Sequence, residues 1–174
     1  MSYAGMMLVG LALDLALGWP GWLHARIGHP VTWLGAIISA LELRWNTGAR
    51  GRRLAAGGIT SLSVMALAAV PALAVQQILP EGIAGTLIGG VLAWPFIALR
   101  SMHDHVAAVV KPLARGHLDS ARAAVAMIVG RDPALLDEAG VARAGIESLA
   151  ENTGDGIVAP VFWGAIAGLP GIAA

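Results

Sequence analysis

Leu54–Val75 reads LAAGGITSLSVMALAAVPALAV, 22 residues without a charged side chain. A helix rises 1.5 Å per residue, so this run covers about 33 Å, enough to cross bilayer hydrocarbon, which takes about 20 apolar residues. It predicts a transmembrane helix and sets the class of everything around it. Composition agrees. Hydrophobic residues make up 57% of the 174, charged ones 13%, and mean hydropathy is +0.72. Soluble domains carry about 25% charge. The formal net charge is zero, which argues against nucleic acid as a partner. There is no cysteine, so disulfides and thiolate metal sites are excluded.

Outward from this run the charges become informative. Arg44–Arg53, on its N-terminal side, holds four arginines and no acid. Gln76–Gly82, on the other side, is a short turn with Pro80, Glu81 and no Lys or Arg. Ile83–Leu99 follows as a second span, kinked or broken near Trp94-Pro95. By the positive-inside rule, 44–53 and the basic region from Arg100 to residue 156 are cytoplasmic and 76–82 faces outward. Upstream, Ala4–Leu17 is apolar but short for a span, and Asp14 lies inside it. Met1-Ser2-Tyr3 lacks the basic region of a signal peptide, so this run is expected to be retained. An intramembrane carboxylate is a functional hypothesis by default, although Asp14 sits close enough to the end to reach the interface. Gly18–Pro30 is punctuated by Gly and Pro and reads as a loop carrying His24, Arg26 and His29. Trp19, Trp22 and Trp33 flank it as interfacial aromatics do. Val31–Leu43, with Glu42 at its end, is too short to span and reads as re-entrant or interfacial.

Arg100–Val129 contains His103, Asp104, His105, Lys111, Arg115 and His117. Residues i and i+2 on a helix do not face each other, so His103 and His105 are no metal pair. A basic interfacial face, suited to lipid headgroups or an anionic substrate, fits better. Asp119 is placed to cap a helix running to Val129. Then comes Gly130–Pro160, GRDPALLDEAGVARAGIESLAENTGDGIVAP, with eight of the chain's 22 charged side chains. Asp132 is placed to cap a helix that starts at Pro133 and stops at Gly154. Leu135, Ala139, Ala142, Ile146 and Leu149 form an apolar stripe, and Arg143, Glu147 and Glu151 stand four apart on another face. The carboxylates admit two readings. One is a solvated face, with Arg143 paired to Glu147. The other is a ligand set, in which Glu147, Glu151 and Asp155 converge on a hard cation such as Mg²⁺. No GxxxxGKS or GxGxxG phosphate motif is present. Ile157–Ala174 is apolar and reads as the start of another span.

The words GRDP, LDEAGVARA, IESLAEN, DGIVAP and VFW, in this order and spacing, resemble the cobalamin-biosynthesis CobD/CbiB family, adenosylcobinamide-phosphate synthase. Asp14, His29-Pro30-Val31, Glu42 and Leu99-Arg100-Ser101 extend the resemblance over most of the chain. Trp19 stands before Pro20 where relatives often have Asp, Gly154 where they have a small polar residue, and Gly145 where they have Ala. The resemblance implies an inner-membrane, multi-pass protein that joins aminopropanol, or its phosphate, to a propionate carboxyl of cobyric acid. ATP and Mg²⁺ are the implied cofactors. The corrinoid, aminopropanol and the lipid bilayer are the implied partners, together with a second copy or other corrinoid-pathway membrane proteins. Relatives continue beyond residue 174, so the chain is expected to be roughly an N-terminal half or one part of a split protein. On this basis Glu147, Glu151 and Asp155 are the candidate catalytic and metal residues. Arg131, Asp132, Asn152, His29, Glu42 and Asp14 are the candidate substrate contacts. The alternative is a non-catalytic transport, sensory or scaffold protein of corrinoid metabolism. The expected fold is all-α, a multi-pass helical membrane protein with cytoplasmic or interfacial amphipathic helices. Residues 1–174 form one membrane-embedded domain, within which 100–156 is a cytoplasmic helical hairpin region.

Overall fold

The computed structural model describes residues 1–130 and 132–174, and all regular structure within them is helical. The elements are α1 (Tyr3–Leu17), α2 (Gly21–Ile27), α3 (Pro30–Trp45), α4 (Arg50–Ile78), α5 (Gly82–Ala93), α6 (Leu99–Leu113), α7 (Leu118–Val125), α8 (Glu138–Thr153), α9 (Ala159–Ala167) and α10 (Leu169–Ala173). A 3₁₀ turn (Trp94–Phe96) separates α5 from α6, and a π-turn (Gly154–Val158) joins α8 to α9. The segments Arg50–Ile78 and Gly82–Leu113 are long and apolar enough to cross a membrane. The chain bends by 107° between α1 and the α2–α3 segment, which makes that pair a broken span or a re-entrant loop. The protein is thus an all-α, multi-pass membrane protein.

Two packing centres organise it. In the first, α1, α5, α9 and α10 enclose Met6, Met7, Ala93, Ile97, Leu169 and Ile172. Helices in lipid gain little from hydrophobicity, so they associate by close approach at small residues. Accordingly α1 and α5 run side by side in one direction. Gly5 faces Thr86, Met6 faces Gly89, and Val9 faces Gly90. A Cβ on Gly89 would lie 2.6 Å from the Met6 sulfur, and one on Gly90 would overlap Val9. Near the end of α4, Gln76 donates from Nε2 to the Tyr3 hydroxyl (3.0 Å) and accepts the Leu169 N–H on Oε1 (2.7 Å). It thereby satisfies backbone at the α9–α10 turn, where Gly168 has φ +73°. Along the rest of α4 no residue is fully buried, and Leu54, Leu62 and Val70 are each more than 60% exposed. That is untenable in water over such a length and ordinary against lipid.

The second centre lies in α6–α8, where Val109, Ala121, Val125, Val141 and Ala144 pack together. Here several sequence expectations are corrected. The acidic helix does not start at Pro133. The Asp132 carboxylate takes the Ala134 N–H in a local turn (2.9 Å), and Asp137 is the N-cap, accepting from Gly140 N–H (2.7 Å). Leu135 is therefore outside the helix and 98% exposed, and the buried stripe is Val141, Ala144 and Ser148. Ala142, Ile146 and Leu149 instead line an apolar groove against α6. The α-helix does stop at Gly154, as expected, but without a left-handed glycine: Gly154 takes right-handed helical angles and opens the π-turn. α7 begins after His117 and ends at Val125, while Asp119 pairs with Arg122 at 3.0 Å. Gly18–Pro30 is not simply a loop, since α2 forms within it.

Candidate functional site

Two places gather the polar residues. The first is a junction at the start of α6. Its N-cap, Ala98, offers no side-chain acceptor, so the first N–H groups need partners from elsewhere. The Ala98 N–H donates to the Gly156 carbonyl (3.0 Å) and the Arg100 N–H to the Asp14 carboxylate (2.8 Å). In a regular helix the Gly156 carbonyl would accept from residue 160, but Pro160 has no N–H. That acceptor is thereby left for Ala98. Asp14 is 3% exposed and joins α1 to α6 across 86 residues of sequence. Arg100 reaches back over it, from Nη1 to the Leu15 carbonyl (3.3 Å), and pairs with Asp104 through Nε (2.9 Å).

Around this junction His29 caps α3, with Nδ1 accepting the Val31 N–H (3.3 Å). The ring meets Trp19 edge-on with centroids 5.0 Å apart. Trp19 in turn lies 5.8 Å from Trp94. Glu42 is elsewhere. Thirteen residues along α3 put it about 20 Å from His29, exposed and accepting from Asn46 Nδ2 (3.3 Å). His103 and His105 hold no common ligand; their Nδ1 atoms lie beside Asp104 (3.1 Å) and the Ser101 carbonyl (2.7 Å) respectively.

The second place is the open side of α8. Glu147 and Glu151 line a concavity of about 240 Å³, with Ser148 and Ala144 between them and Ile128, Val129 and Gly130 as the facing wall. Ser148 holds that wall. Only 4% exposed, it donates from Oγ to the Ile128 carbonyl at 2.6 Å. Asn152 follows one turn on and donates from Nδ2 to the Ser148 carbonyl (2.8 Å) and Oγ (3.0 Å). Sequence reading passed over Ser148. Its signal was the 3- and 4-residue spacing from Val141 through Ala144, which puts a hydroxyl on the buried stripe. Arg131 lies outside the described residues, and Asp132 is exposed and does not line the concavity.

Asp155 is exposed in the π-turn and does not line the concavity. Among the described residues no group of three or more His, Asp or Glu could hold a metal ion. The set of Glu147, Glu151 and Asp155 is therefore not gathered by the fold, because the i→i+5 turn takes residues from 154 onward out of α8's register. Glu147 and Glu151 do share one concavity. Mg²⁺ commonly takes one or two carboxylates and completes its shell with water and substrate phosphate, so this pair fits that ion. Arg143 is exposed and forms no ion pair among the described residues, contrary to the i,i+4 pairing with Glu147.

The family model described as CobD/Cbib protein matches residues 7–174. The chain belongs to the CobD/CbiB family. Relatives include the cobalamin biosynthesis protein CobD of Rhodobacter capsulatus, 64% identical over 99% of this chain and 55% of its own length. CobD of Sinorhizobium fredii is 41% identical over 97% of this chain and 52% of its own length. For CobD of Brucella suis the values are 42%, 96% and 52%. The chain thus spans about half the length of the curated relatives it matches. No solved structure matches it. Several words that carried the CobD/CbiB resemblance turn out to be architectural. Asp14 and the Gly156 and Pro160 of DGIVAP build the α6 junction, whereas IESLAEN contributes Glu147, Ser148 and Glu151 to the concavity.

Proposed function

We propose that the protein takes part in cobalamin biosynthesis as an amide-forming ligase. In this reading it joins aminopropanol or aminopropanol phosphate to a propionate carboxyl of (adenosyl)cobyric acid, giving (adenosyl)cobinamide or its phosphate. Family membership supports it, and the concavity on α8 is the observation that carries it to particular residues. A carboxylate does not condense with an amine unaided, because oxide is too poor a leaving group; ATP supplies the means by carrying that oxygen away as phosphate. Glu147 and Glu151 would hold Mg²⁺ there, and the ion would neutralise phosphoryl charge. Ser148 keeps the wall at 128–130 against the two carboxylates, and Asn152 bonds to Ser148. Arg131 and Asp132, which follow Gly130 in the sequence, are candidate contacts for substrate or nucleotide. The basic loops orient this face toward the cytoplasm of a cell whose inner membrane carries the spans. A transporter would want a free ionisable group near the bilayer midplane. Asp14, the candidate inside a span, is instead engaged by the start of α6.

The test uses the full-length protein in a strain lacking the enzyme. Glu147→Gln and Glu151→Gln keep shape and remove charge. Each is expected to cut cobinamide formation at least tenfold and raise the Mg²⁺ requirement, with membrane expression intact. Arg143→Gln is expected to be near normal. Equal, mild effects from all three would remove the metal assignment.

A further inference from the structure

The turn between α3 and α4 carries Arg44, Arg50, Arg52 and Arg53, all exposed. Among the described residues none of them has a carboxylate within ion-pair distance. Glu42, the one nearby acid, accepts instead from Asn46. The turn itself is tight. Thr47 N–H donates to the Trp45 carbonyl (2.8 Å) and Gly48 takes φ +86°. A Cβ at Gly48 would lie 3.6 Å from Arg52 Cδ and 3.8 Å from its Nη1, so that guanidinium is folded back over the turn. Ala49 gives α4 no side-chain cap, and the first N–H groups of the helix open toward the same place. On the membrane side the patch is bordered by Leu43 (83% exposed), Trp45 and Leu54 (67% exposed). These are apolar groups at the root of a helix whose sides face lipid.

We propose that this arginine turn is a docking surface for anionic phospholipid headgroups. The phosphate would lie over the turn between Arg52 and the first turn of α4, and the acyl chains would run down the apolar side of α4. Four uncompensated cations rimmed by Trp45 and Leu43 match a ligand with a charged head and an apolar tail. A free phosphate or nucleotide would use the cations and leave the apolar rim without purpose. Guanidinium groups also suit phosphate better than ammonium does, because they bond it in a bidentate fork.

The experiment uses the purified chain in a neutral detergent, with phosphatidylglycerol and phosphatidylcholine of matched chains titrated in and bound lipid counted by native mass spectrometry. Wild type is expected to retain phosphatidylglycerol in preference. Removing each arginine is expected to lower retention about fivefold at low salt. The variant with Arg50→Gln, Arg52→Gln and Arg53→Gln should then show no preference. The Lys counterparts should keep part of it, which separates charge from guanidinium geometry. Should the Gln variant fail to fold, wild type alone decides, since retention must fall as ionic strength rises. Equal retention of both lipids by wild type overturns the proposal. So does displacement of phosphatidylglycerol by millimolar inorganic phosphate or ATP, which would make the turn a free-phosphate site.

Discussion

Replacing Ser148 by alanine tests whether the candidate site has a built wall. The hydroxyl is 4% exposed and donates at 2.6 Å to the Ile128 carbonyl. Its removal leaves that carbonyl without its donor in a half-buried place, at a cost of about 1–3 kcal/mol. Asn152 retains its 2.8 Å bond to the Ser148 carbonyl, so the second partner adds little. Alanine keeps Cβ and creates almost no cavity. The expected loss is therefore local, about 1–2 kcal/mol, which multiplies the open population of the 127–130 segment roughly five- to thirtyfold. Hydrogen–deuterium exchange in detergent micelles reads this directly. Amides of 127–130 should exchange faster by that factor, while α1 and α5 are unchanged. Asn152→Ala, at an exposed position, should move the same amides far less. Unchanged protection at 127–130, or a loss spread evenly over α1 and α5, would refute the reasoning that Ser148 fixes this wall.

Gly90→Ala should destabilise the α1–α5 contact by about 1–3 kcal/mol, because the new methyl meets Val9; thermal aggregation followed by size exclusion would show it. Gly57→Ala in α4, with no neighbouring atom within 4 Å, should be neutral or stabilising in the same assay. Asp14→Ala should cost about 1–3 kcal/mol by stranding the Arg100 N–H, whereas Asp14→Asn keeps an oxygen acceptor and should cost less. Reporter fusions at Arg50 and Glu138 should report the cytoplasm, and one at Glu81 the outside. An outside signal at Glu138 would separate the α8 face from the other motif loops.

What the sequence made legible was long or strongly patterned. The charge-free run at 54–75 located α4, because 22 residues of apolar sequence admit few alternatives. The break at Trp94-Pro95 followed from the missing proline N–H. What it concealed was short or nonlocal. α2 has 7 residues, too few for a periodic stripe, and its Gly and Pro flanks mimic a loop. Asp132 and Asp137 carry the same capping chemistry five residues apart, and only the packing of Val141 and Ala144 decides between them. The role of Asp14 depends on a backbone N–H 86 residues away, which no local pattern can announce. The spacing of four put Glu147 and Glu151 on one helix face, and both line the same concavity. Asp155 was grouped with them as the next carboxylate one turn on, past the expected helix stop at Gly154, and the π-turn leaves it off the concavity.

Pro160 has a consequence for how the two packing centres are held together. Most helix carbonyls are contested: an outside donor must outbid the helix's own N–H four residues on. At Gly156 there is no such rival, because residue 160 lacks the proton. The vacancy is covalent, fixed when the chain is synthesised, and stays open to Ala98 however often the junction loosens and re-forms. A residue with an N–H at 160 would let the long helix from 138 to 167 close on itself. The start of α6 would then compete for an acceptor that it now holds without contest.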